Sequence, residues 1–206
     1  MSTIQHYLFK RSLEEENIPI KNFRIDHSTP HNYNNDVKYN FVFPKSFISE
    51  VEKIDTTTKP IDYYFVGTIK GGHRQFLKSW SKDNSIIKET SQNNFIHPNN
   101  DPTGYYGDNY FNKDYFNELS KSKFSLCPAG CSAFDKKYVD DQKFMWTYRF
   151  WESILVGCIP ITDEPDPKWH MDYKFYGLND NHIYRTDWVE HNLKLLKKRH
   201  FIWTKD

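Results

Sequence analysis

The chain has 206 residues, of which 28 are Lys or Arg and 27 are Asp or Glu, so its formal net charge is only +1. This balance gives no electrostatic basis for a nucleic-acid or membrane-surface partner. No run of about 18 apolar residues occurs, which predicts that no segment spans a membrane. The polar amino terminus lacks the apolar core of a signal peptide, which predicts a cytoplasmic protein.

The cysteines favour a reduced, metal-free protein. Cys127, Cys131 and Cys158 are odd in number and lack CxxC spacing. This pattern argues against a disulfide framework and a zinc site, and it favours buried free thiols.

Residues 1–60 are predicted to be largely irregular, as an arm laid over the main domain. The stretch 25–36 is rich in Asn and His and has turn chemistry throughout. Asn and Asp compete with regular structure by bonding their own backbone. Within this region we expect a short amphipathic start with Tyr7, Leu8 and Leu13, a short strand over 39–44 ended by proline, and a turn of helix over 47–54.

From residue 61 onward, apolar runs alternate with segments of helical periodicity. Such alternation predicts an α/β domain over residues 61–206, with helices on both faces of a parallel sheet. The predicted strands occupy residues 63–68, 85–90, 123–130 and 158–162. The predicted helices occupy residues 69–83, 112–122, 147–157 and 186–201. A long loop is predicted over residues 91–109.

Two turns at the predicted carboxyl ends of strands carry unusual residues, and ligands of open parallel sheets bind at these ends. The turn from Gly67 to Arg74 combines glycines with a guanidinium at a helix start, which suits a phosphate. The turn at 127–131 leads to a helix bearing Arg149 and Glu152, three residues apart. Their spacing allows a local ion pair. It equally allows a site in which the carboxylate accepts ribose hydroxyls and the guanidinium binds a diphosphate.

Three segments together resemble one family. Residues 123–162, KFSLCPAG…YRFWESILVGCIPIT, closely resemble the C-terminal signature of exostosin-like glycosyltransferases. Residues 63–80, YYFVGTIKGGHRQFLKSW, look like that family's Phe-x-Gly strand and arginine-bearing helix, and YNFVFP at 39–44 is similar to the segment that commonly precedes them. The resemblance implies a Rossmann-like, nucleotide-sugar-binding domain of the GT-B type.

The same resemblance implies an activity. We expect an inverting glycosyltransferase that transfers a sugar from a nucleoside-diphosphate sugar, with a UDP-sugar favoured, to a carbohydrate acceptor. No cofactor and no metal ligands are expected, and the lack of a DxD motif fits this. Carried over by position, Glu152 would hold the ribose, and Arg149 and Arg74 the diphosphate. Three further positions would let the backbone approach the donor: Gly67, Pro128 and Gly130.

The chain also departs from the family pattern. Many relatives carry an arginine where Ala129 stands, so one phosphate contact is either missing or supplied elsewhere. Residues 1–60 offer at most a remnant of an acceptor domain, which makes a second subunit or a homo-oligomer a candidate partner. The catalytic base, which must reach the acceptor hydroxyl, is left unassigned. The candidates are Asp163, Glu164, Asp135, His27 and His31.

Three other interpretations stay open on the sequence. The chain could be a donor-binding half that depends on a second polypeptide, or an inactive carbohydrate-binding relative. It could be a fucosyltransferase-like enzyme, which would prefer a guanine nucleotide. It could also be a plain nucleotide-binding or structural α/β module.

Overall fold

The structure is a computed structural model that describes residues 3–25, 31–40, 42–67, 69, 72–89, 112–128, 147–162, 170 and 172–200. Its helices are α1 (Thr3–Glu15), α2 (Lys45–Glu52), α3 (Lys113–Ser120), α4 (Tyr148–Leu155) and α5 (Thr186–His200), with a 3-10 helix at Gly72–Ser79. Its strands are β1 (Phe23–Ile25), β2 (Asn32–Asn34), β3 (Val37–Tyr39), β4 (Ile61–Gly67), β5 (Ser85–Glu89), β6 (Ser122–Leu126), β7 (Ile159–Thr162) and β8 (Tyr176–Gly177).

The main sheet has five parallel strands in the order β5-β4-β6-β7-β8. The predicted α/β class with a parallel sheet is therefore confirmed, and the fold is Rossmann-like. Among the described residues, no helix combines the length and apolar character needed to cross a membrane.

Side chains of the sheet alternate between two apolar layers, as the two-residue period of a strand requires. Tyr64 points into the layer formed with Phe116, Trp151 and helices α2 to α5, whereas its neighbour Phe65 points into the opposite layer. That second layer is covered by Leu77 of the 3-10 helix and by residues around the start of α5. Both faces of the sheet are therefore buried.

The amino-terminal region is more regular than predicted. Strands β1, β2 and β3 form an antiparallel sheet, and with α1 they enclose a small core around Phe9 and Leu13. The expectation of an irregular arm was wrong here because tertiary contacts organise polar strands. The side-chain amide of Asn34 accepts a hydrogen bond from the Lys21 backbone N–H at 2.9 Å and donates one to the Pro19 carbonyl at 3.0 Å.

Other boundaries differ less from the predictions. The strand predicted over 39–44 is displaced, since β3 ends at Tyr39, while the helix predicted over 47–54 is present as α2. The segment after β4 forms a 3-10 helix and not an α-helix. Gly157 ends α4 with a positive φ of 71°, as its predicted capping role requires. The loop predicted over 91–109 lies outside the described residues.

A lysine joins two helix ends at the amino-terminal edge of the main sheet. The Lys59 ammonium donates to the carbonyls of Ser120 and Val156, at 2.6 Å each. These are carbonyls at the carboxyl-terminal ends of α3 and α4, where a positive charge is favourable. Burial lowers the pKa of Lys59, and the nearby Cys158 and Asp55 side chains oppose this shift.

We expect Lys59→Met to lower the free energy of unfolding by about 2 kcal/mol, because two partly buried carbonyls lose a charged donor. Lys121→Met, at an exposed position beside the same helix end, is the matched control and should change it by less than about 0.5 kcal/mol. Chemical denaturation measures both. Equal stabilities of the two variants would contradict the role of Lys59.

A histidine connects three segments on the second layer. The Lys82 ammonium donates to His182 Nδ1 at 2.9 Å, so His182 Nε2 carries the proton that is donated to the Gly177 carbonyl at 2.9 Å. The Tyr63 hydroxyl also lies 3.3 Å from Nδ1. Burial lowers the pKa of His182, and the Lys82 ammonium acts in the same direction, whereas the Gly177 carbonyl and the Asp180 carboxylate oppose them.

This arrangement predicts a pH dependence of stability. Because the folded-state pKa of His182 is below its ordinary value of 6.5, protonation favours the unfolded chain. The stabilisation is complete above pH 6.5 and is lost as the pH falls towards the folded-state pKa. We expect unfolding free energies at about pH 7.5 and 5.5 to differ less in His182→Gln than in wild type. His191→Gln, at an exposed position, is the control, and an unchanged difference in His182→Gln would refute the prediction.

Candidate functional site

The strand order puts a topological switch point between β4 and β6, the position at which open α/β sheets form a ligand crevice. The helical element after β4 packs on one face of the sheet through Leu77, and α4 packs on the other face through Phe150. Neighbouring strands whose connections leave on opposite faces define the position at which open α/β sheets bind ligands. Because the register pairs Tyr64 with Ser125, Gly67 and Pro128 lie at the same carboxyl-terminal edge.

Arg149 lies in the first turn of α4 and reaches this edge. Its Nη2 donates to the Val66 carbonyl at 2.5 Å, and its guanidinium carbon lies 4.4 Å from the centroid of the Phe65 ring. The guanidinium therefore covers the end of β4. A Cβ atom at Gly67 would come within 2.7 Å of Nη2, so the close approach of Arg149 requires glycine at this position.

Glu152, one turn further along α4, has a different partner. Its Oε2 accepts a hydrogen bond from the Tyr115 hydroxyl at 3.0 Å. Burial raises the pKa of the Glu152 carboxyl, although Arg149 and the Tyr115 hydroxyl both favour its charged form. Arg149 and Glu152 therefore lie close to each other, with the Val66 carbonyl of β4 as a partner of Arg149 and the Tyr115 hydroxyl of α3 as a partner of Glu152.

Tyr115 completes the site, and the sequence analysis did not identify it. It lies in the first turn of α3, where its amide donates to the Asn112 side chain at 2.9 Å as part of the helix cap. The sequence did contain a signal. Asn112 is a helix-capping residue three positions before Tyr115, and a helix that leads directly into β6 must begin at the carboxyl-terminal edge of the sheet.

Cys127 and Ser153 form the floor of the site. The Cys127 thiol lies 3.6 Å from Ser153 Oγ, and Ser153 Oγ donates to the Arg149 carbonyl. Burial raises the pKa of Cys127 to about 11, so the thiol is not a nucleophile. Cys127 and Cys158 are buried free thiols as predicted, and Cys131 lies outside the described residues.

The structure brings Gly67, Arg149 and Glu152 together at one edge. Pro128 is buried directly after β6, and Arg74 lies in the 3-10 helix that follows β4. His31 immediately precedes β2 in the amino-terminal sheet. The remaining predicted site residues, which are Gly130, Asp135, Asp163, Glu164 and His27, lie outside the described residues.

No protein-family model matches the chain, and no curated protein matches it. The fold is that of a Rossmann-like α/β protein, and Arg149, Glu152 and Tyr115 lie near its switch point.

The contact between Gly67 and Arg149 predicts coupled effects of substitution. We expect Gly67→Ala to lower the free energy of unfolding by about 1–2 kcal/mol, because the new methyl group displaces the guanidinium from the Val66 carbonyl. In an Arg149→Met background, Gly67→Ala should lower the free energy of unfolding by less, because the Nη2 atom that the methyl group displaces is absent. Denaturation of the four variants of this cycle measures the coupling. Identical losses in both backgrounds would show that Arg149 does not constrain position 67.

Proposed function

We propose that the chain binds a nucleoside-diphosphate sugar in the crevice between β4 and β6 and transfers the sugar to a carbohydrate acceptor. The observation that carries this proposal is the placement of Arg149 and Glu152 on consecutive turns of α4, with both side chains at the switch point. The resemblance of residues 39–165 to exostosin-like glycosyltransferases supports the same function.

Arg149 is suited to the diphosphate. A guanidinium has five N–H donors in a planar fork that matches phosphate oxygens. The Val66 carbonyl uses a donor on Nη2, and Nε has no hydrogen-bond partner among the described residues. Arg149 is thus both anchored and incompletely satisfied. In the proposed transfer it stabilises the negative charge that develops on the leaving nucleoside diphosphate, and Arg74 is the second cation proposed for this role.

Glu152 is suited to the ribose. A carboxylate has about four lone-pair sites, and the Tyr115 hydroxyl occupies one of them. The others can accept hydroxyl groups, which is the role an acidic residue has in many Rossmann-like nucleotide sites. Gly67 and Pro128 border the donor in this arrangement, and Gly130 follows them in sequence.

The proposed transfer also needs a base that takes the acceptor proton. Asp163 and Glu164 directly follow β7, whose carboxyl end lies at the same edge of the sheet. Asp135 belongs to the segment between Gly130 and Arg149. These three residues are the proposed candidates, and substitution of each, with donor binding as a control, would assign the base.

The proposed binding step predicts that substitution of Arg149 or of Glu152 weakens nucleotide binding. We expect Arg149→Ala and Glu152→Ala each to weaken UDP binding by about 1–3 kcal/mol, because each leaves charge-assisted partners unpaired. Isothermal titration in the presence of a chelator measures the affinities, and GDP in the same panel tests the fucosyltransferase-like alternative.

The control for these variants is Arg185→Ala. Arg185 adjoins Tyr184, whose hydroxyl bonds the Gly157 carbonyl at the opposite edge of the sheet. The Arg185→Ala variant should bind UDP with the affinity of wild type. If Arg149→Ala and Glu152→Ala also bind like wild type, the pair is structural. If wild type binds UDP but releases no sugar from any UDP-sugar, the chain is a binding module and not an enzyme.

A further inference from the structure

Tyr115 stands between the two charged residues of the site. Its hydroxyl donates to Glu152 Oε2 at 3.0 Å, and its electrostatic interaction with Arg149 shows that the guanidinium is also near. The ring is held by Phe116, in a T-shaped contact with centroids 5.1 Å apart, and by Tyr64, with centroids 6.2 Å apart. The Asn112 cap fixes its backbone. The hydroxyl is therefore positioned before any ligand binds.

The bond to Tyr115 determines where the Glu152 carboxylate lies. An arginine and a glutamate three residues apart on a helix ordinarily pair with each other. Here the Tyr115 hydroxyl lies between them: it donates to the carboxylate and also interacts with the guanidinium, which the Val66 carbonyl holds at the end of β4. Both groups are thereby available to a ligand that carries an anion at one end and hydroxyl groups at the other. Burial raises the pKa of Tyr115 well above its usual range, so the phenol remains a proton donor at neutral pH.

We propose that Tyr115 is the positioning residue that gives this site a preference for ribonucleotides over 2′-deoxyribonucleotides, because it orients the Glu152 carboxylate towards the ribose hydroxyls. This inference rests on the proposed nucleotide-sugar function. Without the phenol hydroxyl, the carboxylate would turn towards Arg149, and the 2′-hydroxyl would lose its acceptor.

The test compares the affinities of UDP and 2′-deoxy-UDP, measured by isothermal titration. For wild type we expect UDP to bind roughly tenfold or more tightly than 2′-deoxy-UDP, the ratio that one hydrogen bond to a charged group supplies. In Tyr115→Phe, UDP should bind at most about threefold more tightly than 2′-deoxy-UDP, because the Glu152 carboxylate is no longer oriented towards the 2′-hydroxyl.

The matched control is Tyr64→Phe, because the Tyr64 hydroxyl donates to a different carboxylate, Glu118 Oε2, at 3.1 Å. This variant removes a comparable tyrosine-to-glutamate bond nearby and should keep the wild-type ratio. A second comparison uses Glu152→Gln. If Tyr115 acts through Glu152, adding Tyr115→Phe to Glu152→Gln leaves the ratio unchanged.

The outcomes separate the inference from the proposed function. Wild type that binds neither UDP nor GDP overturns both, and if wild type binds only GDP, the same comparison is made with 2′-deoxy-GDP. Wild type that binds UDP and 2′-deoxy-UDP equally overturns the inference alone, and this measurement does not depend on the folding of any variant. The inference also fails if Tyr115→Phe keeps the wild-type ratio, or if Tyr64→Phe loses it to the same extent.

Discussion

The guanidinium of Arg149, held against the end of β4, is the interaction on which the carboxyl-terminal edge of the sheet depends. A charge withdrawn from water must be compensated, and here the Val66 carbonyl and the face of Phe65 contribute. This contact leaves room only for glycine at position 67. It also fixes the start of α4 relative to β4, and so determines where Glu152 lies one turn later.

The two edges of the main sheet differ in the buried charged side chains that they hold. At the amino-terminal edge, the Lys59 ammonium joins the carbonyls that end α3 and α4. At the carboxyl-terminal edge, Arg149 Nε is buried without a hydrogen-bond partner among the described residues, and burial raises the pKa of the nearby Glu152 carboxyl. A buried polar group that lacks a hydrogen-bond partner destabilises the fold, but in a binding site a ligand can supply the missing partner. A buried guanidinium donor without a partner beside a carboxyl of raised pKa favours the carboxyl-terminal edge as the functional one.

The sequence predicted four of the five strands of the main sheet, because these are apolar runs separated by segments of clear helical periodicity, but it did not predict the two-residue strand β8. It failed for β2, whose residues are polar and whose strand is held by contacts such as those of Asn34 with residues 19 and 21. The convergence of Arg149 and Glu152 followed from their helix position and the rule for parallel sheets. The Asn112 cap indicated that Tyr115 lies at the same edge, but its bond to Glu152 spans 37 residues and could not be predicted from the sequence.

The most direct test of this account is a crystal structure of the chain with UDP, grown without divalent metal ions. The account predicts the diphosphate within about 3.5 Å of the Arg149 guanidinium, and the ribose against Glu152 at the carboxyl ends of β4 and β6. A nucleotide bound at another face of the sheet, with Arg149 and Glu152 making no contact to it, would contradict the account.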